Sequence, residues 1–239
     1  MNPTTSTTAP AARRSVLGNF VRSSIGAKWV MAVTGILFLL WLIGHLVGNL
    51  QIFAGAQILN DYAAFLRANP TLLWVVRIGL IVVVALHVWA GIRLSQLNRQ
   101  ARPQRYEGYR FRKASWASRT MIVSGLLILG FVIFHLAHFT WGWIFPSYFQ
   151  QVDAKGQHDV YGMLVKGLSH PGIAVLYMAA MVFVGMHLSH AIWSAIQTMG
   201  LNGPRWTPIA LKGGRWLGIL IALGFFIIPL AVLLGIVRI

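Results

Sequence analysis

The sequence predicts an all-α integral membrane protein of five transmembrane helices, folded as a single domain over residues 1–239. Three observations predict it. Of 239 residues, 57% are hydrophobic and 10% charged, whereas soluble domains carry about 25% charged residues. Five continuous apolar runs are each long enough to cross a hydrocarbon core, which takes roughly 20 helical residues. None of the runs breaks into the alternating segments of about ten residues that transmembrane strands require. The apolar content also excludes disorder. The chain has no cysteine, which excludes disulfide frameworks, thiolate metal sites, iron–sulfur clusters and cysteine nucleophiles.

Along the chain, residues 1–20 are polar, rich in Thr, Ala and Arg, and lack an apolar core. They are expected to be a flexible tail rather than a secretory signal. The first span is expected near 27–53. A weak helical stripe follows (Ile58, Leu59, Tyr62, Leu66), closed by Pro70, and is expected to lie along the membrane interface. The second span runs near 72–97, the third near 118–143, the fourth near 171–198 and the fifth near 215–237. Residues 144–170 form the longest loop and are expected to cap one face. Trp29, Trp74, Trp116, Trp141, Trp143 and Trp216 fall near span ends, where an aromatic belt belongs.

The net charge of +16 sorts by side. Arg13, Arg14, Arg22 and Lys28 precede or open the first span. Arg99, Arg102, Arg105, Arg110, Arg112, Lys113 and Arg119 fill the second loop and its exit, and Arg205, Lys212 and Arg215 the fourth. The opposite side holds Arg67, Lys155, Lys166 and Arg238 with Asp61, Asp153 and Asp159. The positive-inside rule then places the N-terminus in the cytoplasm and the C-terminus outside. The charge is therefore an orientation signal, and no nucleic-acid partner is expected.

Six of the eight histidines lie inside the spans: His45, His87, His135, His138, His187 and His190. Ionisable groups within a membrane are expensive and mark functional sites by default. The first four spans each carry at least one, and the fifth carries none, which predicts a four-helix site with an accessory fifth helix. Counting from the cytoplasmic ends at 1.5 Å per residue, His45 and His135 lie roughly 25–27 Å up, and His87 and His187 roughly 15–16 Å. Two levels result, the outer supplied by spans one and three and the inner by spans two and four.

Two neutral imidazoles facing each other across a bundle suit the axial positions of a haem iron. Two pairs at two depths therefore predict two b-type haems, held noncovalently because no cysteine exists for a thioether. Zinc would want three or four ligands converging at one level. Gly44, Gly48, Gly91, Gly130 and Gly185 lie near the ligands and would let a porphyrin approach the backbone. His138 and His190 each follow a ligand candidate by three residues and share its helical face. They are candidates for alternative ligation, propionate or quinone contacts, or structural hydrogen bonds. Arg77 and Arg93, near the outer and inner ends of span two, are candidates for propionate neutralisation or for snorkelling to headgroups. Ser24 and Lys28, at the mouth of span one, are candidates for a quinone carbonyl or for helix anchoring. His158 and His170 are expected on the surface of the long loop.

With these residues assembled, the chain resembles the five-helix, di-haem cytochrome b subunit of bacterial succinate:quinone oxidoreductases and fumarate reductases. The resemblance rests on Ser24-Ile25-Gly26-Ala27-Lys28 entering span one and Gly44-His45-Leu46-Val47-Gly48-Asn49 near its end. His87-Val88-Trp89-Ala90-Gly91, Gly125 ten residues before His135, and His187-Leu188-Ser189-His190-Ala191-Ile192-Trp193 complete it. It implies a multi-pass anchor in the bacterial cytoplasmic membrane for a flavoprotein and an iron–sulfur subunit, passing electrons from succinate to quinone, usually menaquinone. It also implies an inner, proximal haem on His87 and His187, an outer, distal haem on His45 and His135, and a quinone site at Ser24 and Lys28. The basic second loop becomes the docking surface for the soluble subunits. The chain departs from fumarate-reducing members, which carry carboxylates near the start of span two and within span five. Residues 71–76 and 217–237 contain no acid, which favours succinate oxidation and leaves an outer quinone site near Asn49, Gln51 and Arg77 open. Two rival expectations remain. One is the cytochrome b of a hydrogenase or formate dehydrogenase. The other is a transporter or scaffold with structural or proton-handling histidines.

Overall fold

A computed structural model describes Gly18, Phe20 and residues 23–101, 119–201 and 203–239. The basic tail and most of the second loop lie outside the described residues, with Arg13, Arg14, Arg22, Arg102, Arg105, Arg110, Arg112, Lys113 and Trp116 among them. Helix α1 (Ser24–Leu50) starts where the Ser23 hydroxyl accepts the Gly26 N–H at 3.0 Å, an N-cap of the usual kind. A 3-10 turn over Gln51–Ala54 and Gly55, at φ 104°, turn the chain into α2 (Ala56–Ala68). Helix α3 (Pro70–Gln100) opens on proline, which has no N–H to leave unsatisfied. Helix α4 (Met121–His135) passes into a π-helical segment, Leu136–Thr140. Two short helices follow, α5 (Pro146–Phe149) and α6 (Val160–Leu168), the latter N-capped by Asp159. Helices α7 (Pro171–Thr198) and α8 (Trp206–Leu233) complete the fold.

Among the described residues, five segments are long and apolar enough to cross a membrane: Ser24–Ala54, Pro70–Gln100, Met121–Thr140, Pro171–Thr198 and Trp206–Leu233. They match the five expected spans with shifted ends. The fifth begins nine residues before Arg215, because Lys212 and Arg215 interrupt the apolar run without interrupting the helix. Their long side chains can carry the charge away from the apolar surface. The third ends at Thr140 rather than 143, where the π segment closes. Trp29, Trp74, Trp141, Trp143 and Trp216 are all exposed, as belt residues must be.

Four helices form a ring. Helix α3 packs on α1, α1 on α7, α7 on α4, and α4 only lightly on α3. Among the described residues the two diagonals, α1 with α4 and α3 with α7, are not among the closely packed pairs. Helix α8 stands outside the ring against α7, with a smaller contact to α1. Small residues make the α7–α8 seam. A Cβ on Gly218 would sit 2.8 Å from the Ser189 backbone N, and one on Gly214 would sit 2.9 Å from Ile192. One on Gly185 would sit 3.0 Å from Ala222. Without a hydrophobic force between helices in lipid, such close approach supplies the van der Waals attraction that holds them together.

The packed core lies at one end of the ring, the capped end, where α2, α5 and α6 fold over the bundle. Ile52, Leu59, Leu164, Val165, Leu168, Tyr177 and Ile228 are buried together there. Asn60 joins α2 to the long loop and is 2% exposed. Its amide donates to Asp159 at 3.0 Å and Asp153 at 3.3 Å, and its carbonyl accepts the Tyr161 N–H at 2.9 Å. Hydrogen bonds from Gln57 and Lys155 hold the Asp61 carboxyl below the usual carboxylate range. His158 and His170 depart from the surface position expected for them. Both are half-buried, and His170 stacks on Phe145 at 4.6 Å. Burial and the Arg67 guanidinium push His158 below the usual imidazole range, against an opposing pull from Asp159.

Two outcomes follow from this packing. Gly218→Val forces a branched side chain onto the α7 backbone and should cost about 1–3 kcal/mol, read as a lower thermal midpoint in detergent. Asn60→Ala leaves the Tyr161 N–H without its acceptor and takes one donor from each of Asp153 and Asp159. It should cost on the order of 1–3 kcal/mol and speed amide exchange in residues 151–168, leaving the centre of α7 unchanged.

Candidate functional site

The ring's diagonals are bridged by histidines. At one level His87 of α3 faces His187 of α7, with ring centroids 6.4 Å apart. Nearer the capped end, His45 of α1 faces His135 of α4 at 6.0 Å. The structure thus brings together the same two pairs that the depth count paired.

At the His87–His187 level both rings are oriented by hydroxyls from the other diagonal. Thr34 Oγ1 of α1 lies 2.9 Å from His87 Nδ1, and Ser124 Oγ of α4 lies 3.1 Å from His187 Nδ1. Thr34 Oγ1 also lies 2.6 Å from the Val30 carbonyl, so its one proton is committed there. It therefore accepts from His87 Nδ1–H. Ser124 Oγ lies 3.1 Å from the Met121 carbonyl and 3.1 Å from His187 Nδ1, so the same acceptor role is open to it when it donates to the carbonyl. An imidazole that donates from Nδ1 to such a hydroxyl leaves its Nε2 lone pair for a ligand. Thr34 and Ser124 are both buried. Glycine follows each: a Cβ on Gly35 would reach His87 Cε1 at 3.5 Å, and one on Gly125 would reach His187 Cε1 at 3.5 Å.

The other level is walled by aromatics. Trp41 stacks on His45 at 4.7 Å and an interplanar angle of 12°, and Phe225 of α8 approaches the same ring at 5.7 Å. Phe131, Phe139 and Tyr177 surround His135 at 5.8–6.0 Å. The Tyr177 hydroxyl lies 3.4 Å from His135 Nδ1 and 3.1 Å from His138 Nδ1. Asn49 donates to the His45 carbonyl at 2.8 Å.

A metal–imidazole bond of about 2.0 Å, plus about 1.1 Å from nitrogen to ring centre, sets two imidazoles on opposite sides of one metal about 6.2 Å apart by centroid. Both observed separations, 6.4 and 6.0 Å, fit one metal between each pair. Among the described residues no group of three or more His, Asp or Glu converges as a metal cage. A haem iron needs only two protein donors, the macrocycle supplying the rest. The donor set present therefore fits a bis-histidine haem at each level. Gly44 and Gly130 are exposed, and an added Cβ at either would meet nothing within 4 Å. Three other glycines expected to serve ligand access serve packing instead. Gly48 faces Tyr62, Gly91 faces Met31 and Gly185 faces Ala222.

The remaining candidates separate. His138 is buried, stacked on Phe139 at 3.8 Å and bonded to Tyr177. A Cβ on Gly167 of α6 would stand 2.8 Å from its Nε2, so the ring fills the α4–α6 contact. The π segment explains this, since a wider turn rotates residue 138 off the face that α-helical spacing would share with His135. His190 lies one turn beyond His187 towards the end opposite the cap, and is half-buried. Arg77 is exposed, with its guanidinium carbon 5.3 Å from the Trp74 ring centre, and Arg93 is half-buried further along α3. Ser24 and Lys28 are exposed on the first turns of α1, while neighbouring Ser23 caps the helix.

Thr34, Ser124 and Tyr177 were not legible as site residues from histidine spacing. A signal for two of them exists in the sequence. Thr34-Gly35 precedes His45 by eleven residues and Ser124-Gly125 precedes His135 by eleven, the same string on the first and third spans. Eleven residues make three helical turns and place hydroxyl and histidine on one face about 16 Å apart. This spacing of the two levels is wider than the span count suggests. The spans do not end at a common height: thirteen residues of α3 follow His87, against ten of α1 before Thr34.

Compared with known proteins, the chain matches no family model, no curated protein and no solved structure.

Proposed function

We propose that the chain is the membrane-anchored cytochrome b of a quinone oxidoreductase, holding two b haems and relaying electrons between a soluble redox partner and membrane quinone. The observation that carries this is the pair of histidine bridges. Two imidazole pairs span opposite diagonals of one ring at separations of 6.4 and 6.0 Å, each suited to a single six-coordinate iron. A b haem, when bound, supplies reversible one-electron exchange. The chain's own residues do the rest. His87 and His187 would hold one haem, each with its Nδ1 beside the Thr34 or Ser124 hydroxyl. His45 and His135 would hold the other, set among Trp41, Phe131, Phe139 and Phe225, whose apolar rings would keep water away.

Within that class, the resemblance in the sequence favours the anchor of a succinate dehydrogenase in a bacterial cytoplasmic membrane. On this proposal the N-terminal end of α1 faces the cytoplasm. There the basic tail and second loop would dock an iron–sulfur subunit carrying electrons from a succinate-oxidising flavoprotein. Quinone, menaquinone in most similar subunits, would be met near Ser24 and Lys28, or else near Asn49, Gln51 and Arg77 at the capped end. Arg93 and His190 are placed for propionates of the inner haem, and Arg77 for those of the outer. The absence of acids from residues 217–237 favours the succinate-oxidising direction.

Single replacements test the assignment of ligands to levels. His87→Ala and His187→Ala should remove the same haem, leaving one haem per chain and one set of redox-active absorption bands. His45→Ala and His135→Ala should remove the other. Loss of one and the same haem in His45→Ala and His187→Ala would contradict the pairing. Haem quantified per chain, with a redox titration of each variant, decides it.

A further inference from the structure

Helices α1 and α4 each repeat one device: a hydroxyl, a glycine, then nine residues to a histidine, as Thr34-Gly35…His45 and Ser124-Gly125…His135. In each helix the histidine serves one level and the hydroxyl–glycine pair serves the other. Thr34 binds His87 Nδ1 at 2.9 Å and Ser124 binds His187 Nδ1 at 3.1 Å, so the two imidazoles of one level are clamped by matching groups on opposite sides of the ring. Gly35 and Gly125 complete the clamp, for a Cβ at either would touch Cε1 of the same imidazole at 3.5 Å. The other level has no such symmetry. His135 has the Tyr177 hydroxyl at 3.4 Å, and His45 has Asn49 Nδ2, a donor, at 3.4 Å from both ring nitrogens.

We propose that Thr34 and Ser124 are positioning residues that fix the ring orientation and Nδ1–H tautomer of His87 and His187, and thereby hold down the reduction potential of that haem. The proposal rests on the haem assignment above. Its physical basis is the Nδ1–H donating to a neutral oxygen, which increases the basicity of Nε2. A more basic axial ligand favours the ferric over the ferrous state, which lowers the potential. Thr34 donates to the Val30 carbonyl at 2.6 Å and Ser124 has the Met121 carbonyl at 3.1 Å, which leaves each hydroxyl oxygen to accept from its imidazole. The two hydroxyls come from different helices and act on different histidines, yet they bear on one metal position.

The test is a spectroelectrochemical titration of the purified complex, resolved into two haem components. It is made on the unmodified chain and on Thr34→Val, Ser124→Ala and Thr34→Ser. Thr34→Val keeps the side chain's shape and Ser124→Ala removes one atom, so each deletes the acceptor with little change in packing. Both are expected to shift the same component to higher potential and leave the other in place. Both should also move its low-spin ferric resonance, with Thr34→Ser retaining the unmodified values. Two haems at unmodified potentials in both variants would overturn the proposal while leaving the haem assignment standing, as would shifts in different components. An unmodified complex with no haem would overturn the assignment itself.

Discussion

An imidazole in hydrocarbon is tolerable only when its nitrogens are satisfied, and this chain sets four of them across a ring whose diagonal helices are not among its closely packed pairs. Unpartnered polar groups in such surroundings cost several kcal/mol each. The architecture answers that constraint. Neighbouring helices pack closely around the perimeter, while the diagonals stay apart by the distance that two imidazoles and one metal require. Hydroxyls meet Nδ1 of His87 and His187, and Tyr177 reaches Nδ1 of His135, while Asn49 stands at 3.4 Å from both ring nitrogens of His45.

The other elements stabilise a ring that would be poor at stabilising itself. Helix α8 closes on α7 through Gly214, Gly218 and Gly185, and sends Phe225 onto His45. It is accessory to ligation yet contributes to the wall of one level. At the capped end α2 and α6 bury the apolar core and the Asn60 network, fixing the entrances of α3 and α7. The π segment after His135 lets one helix supply a ligand to the ring and, three residues later, a packing histidine to the cap. A regular α-helix would direct both residues to nearly the same side.

Much of this was legible in the sequence because membrane segments announce themselves by length and apolarity, and because histidine is conspicuous among Leu, Ile and Val. The five spans and the grouping of His45 with His135 and of His87 with His187 came from counting alone. The misplaced elements share a physical cause. Span ends blur where Lys and Arg snorkel, as at Lys212 and Arg215. A π turn leaves no compositional mark, so His138 looked like a neighbour of the site rather than part of its packing. Ser and Thr in membrane helices usually bond their own backbone, so Thr34 and Ser124 stood out only once their distances to the histidines were known. Glycines were ambiguous for the same reason: close helix packing and ligand access both need a missing side chain, and only three-dimensional neighbours tell Gly48 from Gly44.

The central claim is that the two histidine bridges are two haem sites. A reduced-minus-oxidised visible spectrum of the purified protein, with haem b quantified per chain, tests it most directly. The account predicts two haems per chain, both of b type, and both low-spin from bis-histidine ligation. A protein that carries its full complement of helices but shows no haem absorption would contradict it, leaving the four imidazoles as hydrogen-bonded contacts between helices.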